Sequence, residues 1–185
     1  MSQLELLSLV VSILRKLDVP LMLVGSYASS YHGESRSTHD IDLVIDLPEE
    51  KISALVAGFD RDRYYLSESA IREGRMANVI DTLTGDKVDL FFLSQDEDSQ
   101  REFQRRQLGE VMGICVEIAT AEDVILSKLR WDNQLGGSDQ QRRDVRNIIK
   151  IVGDQLDFGY IKQHAQSTLQ TFESLLDEVN PDAEP

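Results

Sequence analysis

The chain has 185 residues, 41% of them apolar, a formal charge of −14 and a single cysteine. That length suits one domain, or one domain with a helical extension. The composition excludes an internal disulfide framework and offers no run near the roughly 20 apolar residues of a membrane span. It also disfavours long polyanions, which basic surfaces attract.

The N-terminal stretch MSQLELLSLVVSILRKLDVP is not expected to be a signal peptide, because Glu5 interrupts it and its apolar positions keep a helical period. A cytoplasmic protein is the expectation. Leu4, Leu7, Val11 and Leu14 recur at helical spacing, with Val10 and Leu17 in the same stripe, so the pattern predicts an amphipathic helix over 3–17. Asp18-Val19-Pro20 ends it. The run 21–24 is short and apolar and reads as a buried strand. Residues 26–32 are mostly small and predict a short helix whose N-terminus lies at Gly25-Ser26. A polar loop over 33–39 leads to a second strand at 41–45, which Pro48 stops.

Residues 49–58 read as a helix. Residues 76–81 and 87–93 flank the turn-rich TLTGD and predict an antiparallel hairpin. SQDEDSQ, 94–100, reads as a solvated loop. Residues 111–118 read as one strand, with Cys115 as a small buried hydrophobe within it. TAEDVILSKLRW then opens a helix, with Thr120 as N-cap and Asp123 three residues on. NQLGGSDQ breaks that helix, and two more helical stretches are expected at 139–152 and 158–179. Residues 181–185 are expected to fray. Early strands mixed with helices and a helical last third indicate an α+β or α/β sandwich with an appended bundle.

The chemistry concentrates in three places. Asp40 and Asp42 stand two apart at the mouth of an apolar strand, so their carboxylates share one face while Ile41 and Leu43 take the other. Two such carboxylates repel, and a divalent cation removes the conflict. The alternative is a loop-ending acid followed by a solvated one. Gly25-Ser26 ends the preceding strand; a glycine there permits close approach of backbone to a ligand, and helical N–H groups suit phosphate oxygens. An ordinary turn with Ser26 as N-cap is the other reading. Asp89 interrupts the apolar run DKVDLFFL, where an acid is costly to bury without a partner. It either completes a three-carboxylate cluster or faces solvent. Lys128 falls within the apolar stripe Val124–Ile125–Leu129, and Asp144 borders the stripe of the next helix. Lys128 then needs an anion, an escape to solvent, or Asp144 as a structural partner.

GS, thirteen intervening residues, DID, and a later strand with VDLF together resemble the nucleotidyltransferase superfamily, the DNA polymerase β-like fold, and within it small bacterial proteins of the abortive-infection toxin type. RSTHDID, 36–42, and AEDVILSKLRW…RRDVRNI, 121–148, extend the likeness over residues 21 to about 150. The resemblance implies a mixed β-sheet flanked by helices with a helical C-terminal part: a core over 1–120 and a helical part over 121–180 packed on it as one compact unit. It implies that Asp40, Asp42 and Asp89 hold magnesium, with Asp89 also helping to activate the attacking hydroxyl. Gly25 and Ser26 would hold the nucleotide's phosphates and Lys128 would neutralise their charge, with Asp144 in support. Arg36 and His39, apart from the resemblance, read as solvated loop residues, with Arg36 the better candidate for phosphate. Two magnesium ions about 4 Å apart would clamp the attacking and leaving oxygens.

The expected reaction moves a nucleoside monophosphate from a nucleoside triphosphate to an acceptor hydroxyl on a protein, a tRNA or a small molecule, and releases pyrophosphate. A place in a toxin–antitoxin or phage-defence system, with an antitoxin as partner, goes with the same resemblance. A non-catalytic nucleotide-binding or regulatory module on the same fold is the main alternative. A partner-binding domain using the acidic tail is another.

Overall fold

The computed structural model of the protein describes residues 3–35, 38, 40–74 and 76–179. Arg36, named above for phosphate, His39 and the tail at 181–185 lie outside the described residues. The chain divides into two compact units, Met1–Tyr27 with Ser37–Ala119, and Ala28–Arg36 with Thr120–Pro185.

The first unit is a sheet with helices. Its helix α1, Gln3–Lys16, buries Leu6, Leu7, Val10 and Leu14 completely, the stripe that its apolar spacing dictates. It lies against the fifth strand. Strands β1, Leu21–Val24, and β2, Ile41–Ile45, occupy the expected residues. Between them, helix α2, Gly25–His32, starts directly at the strand end. A 3-10 turn at Glu49–Lys51 leads into α3, Ile52–Ala57. Two elements fall where the sequence pattern predicts none: the two-residue strand β3, Tyr64–Tyr65, and helix α4, Glu68–Arg72. The expected hairpin is β4, Met76–Asp81, against β5, Lys87–Phe92.

Three expectations for this unit are corrected. The stretch 94–100 is an exposed loop only as far as Asp96; its last four residues are the first turn of α5, Glu97–Arg105. Asp96 caps it, its carboxylate accepting from the Ser99 N–H at 2.8 Å and the Ser99 hydroxyl at 2.8 Å. The helix buries only Phe103, so it carries no apolar stripe for periodicity to register. The run 111–118 is not one strand but the end of a hairpin, β6, Gln107–Val111, and β7, Ile114–Ile118. Met112 and Gly113 form its two-residue turn with φ of 50° and 83°, the left-handed pair that matches strand twist. Cys115 is exposed rather than buried; it alternates with Val116, which takes the core face.

These strands form one seven-stranded mixed sheet in the order β3-β4-β5-β2-β1-β7-β6. β1 runs antiparallel to β2 and parallel to β7, and β2 runs parallel to β5. Leu23, Ile41, Leu43, Ile45, Val79, Val88 and Leu90 are fully buried on its central strands, and burial of such side chains drives the assembly at about 2 kcal/mol each.

The second unit is helical. In α6, Ala121–Gln134, Thr120 caps as expected, its hydroxyl oxygen accepting from the Asp123 N–H at 3.3 Å. The Asp123 carboxylate accepts in turn from the Thr120 hydroxyl at 2.7 Å and from the Tyr160 hydroxyl at 2.6 Å. α7 spans Asp139–Val152. The expected single helix over 158–179 is instead α8, Phe158–His164, and α9, Leu169–Val179, separated at Gln166, whose φ is 47°. Ile125, Leu129, Val145, Ile148, Ile161 and Phe172 make its core. Among the described residues no helix is long and apolar enough to cross a membrane.

The α5 cap yields a measurable increment. The bonds from Ser94 and Ser99 hold the Asp96 carboxyl down at about 2, against an ordinary 3.8. A lowered pKa means the cap stabilises fully above the ordinary value and is lost as pH falls from about 4 toward 2. Asp96→Ala is expected to cost about 1 kcal/mol at neutral pH. In urea titrations the gap between parent and variant should close across that acid range; a gap that persists at pH 2 contradicts the cap.

Candidate active site

The acids gather on one face of the first unit's sheet because of strand register. Val24 lies opposite Asp42 across β1 and β2. On the other side of β2, Asp42 lies opposite Asp89 on β5. Residues two apart on a strand share a face, so Asp40 joins Asp42 and Lys87 joins Asp89. The alternate positions Ile41, Leu43, Val88 and Leu90 are fully buried in the core. The apolar half of each strand therefore fixes where its polar half points.

Lys87 links the cluster. Its ammonium lies 3.1 Å from an Asp40 oxygen and 2.9 Å from an Asp89 oxygen. Asp89 is the sequestered member, with its side chain 9% exposed, whereas that of Asp40 is 60% exposed at the rim. Asn78, opposite Asp89 on β4, donates its amide N–H to the other Asp89 oxygen. Hydrogen bonding to Asp89, with a smaller contribution from Asp40, holds the Lys87 ammonium above the usual lysine range despite partial burial. Sequence reasoning left out both Lys87 and Asn78. Lys87 was accessible to it, since DKVDL alternates and places Lys87 on the face of Asp89.

Gly25 closes the other side. It adopts φ of 64°, and a Cβ there would sit 2.0 Å from an Asp42 carboxylate oxygen. The glycine is thus required first by Asp42, which packs against the bare Cα at the strand-to-helix junction. Ser26 follows as the second residue of α2. Gly25→Ala should cost about 2 kcal/mol or more from the left-handed backbone and the collision. The collision part is separable: Asp42→Ala made in the Gly25→Ala background should recover stability, read as a coupling energy in a double-mutant cycle. Strict additivity of the two changes would show that the side chains do not meet.

Lys128 and Asp144 belong to the second unit, where they pair at 2.8 Å with both side chains buried. The acid cluster of the first unit comprises Asp40, Asp42 and Asp89 with Lys87 between two of them. Among the described residues no three histidines, cysteines or acids stand as a ready metal-holding group. The donor chemistry fits a hard divalent cation nonetheless, since carboxylate oxygens are its preferred ligands and two of these acids already share one positive charge.

No protein-family model matches the sequence, and no curated protein matches it. Solved structures do. An antigenic nucleotidyltransferase-like protein from Paracoccidioides brasiliensis is similar with a TM-score of 0.58 at 19% identity, over 95% of this chain and 89% of that one. The antibiotic-resistance factor ANT(2'')-Ia is similar with a TM-score of 0.55 at 14% identity, over 97% of this chain and 95% of that one. The lincosamide antibiotic adenylyltransferase LnuA is similar with a TM-score of 0.53 at 11% identity, over 76% of this chain and 92% of that one. What the chain shares with them is the fold.

Proposed function

We propose that this chain, which has the nucleotidyltransferase fold, is a metal-dependent enzyme that moves a nucleoside monophosphate from a triphosphate to an acceptor hydroxyl. The observation that carries the reading is the register of β1, β2 and β5, which puts Asp42 beside Asp89 and next to Gly25. Asp40, Asp42 and Asp89 would hold magnesium, which when bound neutralises phosphate charge and makes the acceptor hydroxyl easier to deprotonate.

The protein's own groups would do the positioning. Gly25 and Ser26 would receive phosphate oxygens at the start of α2. Asp89, steadied by Asn78, would take the acceptor's proton as its oxygen bonds to the α-phosphorus and the bond to pyrophosphate breaks. Such a reaction gains most of its rate from charge stabilisation and placement, which suits a site built on strands rather than loops. On the resemblance alone, Lys128 would neutralise phosphate charge with Asp144 in support, and Arg36, on its guanidinium chemistry, would be a further phosphate contact.

The acceptor class we favour is a small molecule. LnuA is an adenylyltransferase seen with lincomycin bound, and ANT(2'')-Ia is seen with adenylyl-2''-tobramycin. The charge of −14 puts a long nucleic acid last. A role in toxin–antitoxin or phage-defence systems has the sequence resemblance behind it and nothing further.

A second reading, a nucleotide-binding module without turnover, draws on the lysine seated between two of the acids. Calorimetry with each nucleoside triphosphate, with and without magnesium, tests the shared premise. Magnesium-dependent binding that Asp42→Asn weakens is the expected result. Binding indifferent to both magnesium and Asp42→Asn would count against the enzyme and favour the second reading, and no binding of any triphosphate would count against both.

A further inference from the structure

Lys87 does not belong to the three-acid pattern, yet it bridges two of its members, Asp40 and Asp89. Its ammonium engages one oxygen of Asp40 and one of Asp89, at 3.1 and 2.9 Å. Those lone pairs are the ones a divalent ion at this site would use. We infer that Lys87 is a built-in counter-ion: it neutralises the acids in the metal-free protein and must yield its place before a divalent cation binds, so it sets the metal affinity of the site. The inference rests on the metal reading proposed above.

The two ends of this lysine differ in how firmly they are held. Its backbone is fixed opposite Ile80 at the start of β5. Its side chain is 40% exposed, so the ammonium has a short path to water. A lysine carries a compact charge on a flexible stem and lacks the planar fork that locks arginine onto carboxylates. Asp89, at 9% exposure and bonded to Asn78, is the fixed partner. Charge repulsion between closely placed carboxylates would otherwise act in full whenever metal is absent. Displacing the lysine breaks two charge-assisted hydrogen bonds, partly repaid by hydration of the freed ammonium.

The test is a titration of the full chain with Mn2+, followed by water-proton relaxation. Lys87→Met should bind Mn2+ about tenfold more tightly than the parent, the scale of one such partly solvated interaction. Lys87→Gln, which keeps a donor but no charge, should also bind more tightly and guards against misfolding of the first variant. Lys87→Arg should bind no more tightly than the parent. Equal or weaker Mn2+ affinity in both Lys87→Met and Lys87→Gln overturns the inference. If in that case the parent still binds Mn2+ and Asp42→Asn does not, the metal reading survives and the competition alone is wrong. If neither the parent nor either uncharged variant binds Mn2+, even with nucleoside triphosphate present, the metal reading falls and takes the inference with it.

Discussion

Asp89→Asn protein should fold as the parent does and lose nucleotide transfer by roughly a thousandfold or more, the scale seen when a group placed for the transition state is removed. The substitution keeps size and shape, so Leu90 and Val88 on the opposite face stay packed. It removes the negative charge at the most sequestered point of the cluster, where Lys87 and Asn78 now converge. A carboxamide neither binds a hard cation well nor accepts a proton near neutral pH. Circular dichroism checks the fold, and single-turnover transfer from an α-labelled triphosphate checks the rate. Transfer at the parent's rate would show that Asp89 has no part in the chemistry. Asp40, 60% exposed at the rim, should be the more forgiving position.

Lys128→Met should destabilise the protein by about 3–5 kcal/mol, the cost of leaving one charge of a buried pair alone. The Lys128 and Asp144 side chains are only 7% and 5% exposed and meet at 2.8 Å. Replacing both, as Lys128→Met with Asp144→Leu, should recover most of the loss, because an apolar pair of similar volume is often no worse than the ion pair. Urea denaturation measures both. A single variant within 1 kcal/mol of the parent, an effect typical of exposed pairs, would contradict the structural task. The folded double variant then decides whether Lys128 also serves phosphate: unchanged affinity for nucleoside triphosphate removes it from the proposed site.

The elements that the sequence made legible are those with one dominant signal. α1 and α7 carry apolar stripes at helical spacing, and β1 and β2 are short apolar runs bounded by turn residues. α5 was hidden because EDSQREFQR offers a single buried residue, and its only cue was Asp96 three residues before Ser99. The β6–β7 hairpin was hidden because its turn uses a methionine in the left-handed region, an uncommon choice. Cys115 followed from that error, since a hairpin with one face to solvent exposes every second residue.

At the candidate site, the two-residue spacing of Asp40 and Asp42 and the isolation of Asp89 in an apolar run were readable. Their meeting depended on β2 pairing with β5 rather than with another strand, a long-range choice that no local pattern states. Lys87 escaped notice because a lysine at the mouth of a strand reads as solvated, and only the register brings it between Asp40 and Asp89.

The most direct measurement is transfer of label from each α-labelled nucleoside triphosphate to a panel of small hydroxyl-bearing acceptors, with magnesium or with EDTA. The account predicts a labelled acceptor and released pyrophosphate for the parent with magnesium, and neither with EDTA or with Asp89→Asn. Labelling that survives EDTA, or that Asp89→Asn performs as well as the parent, would contradict it.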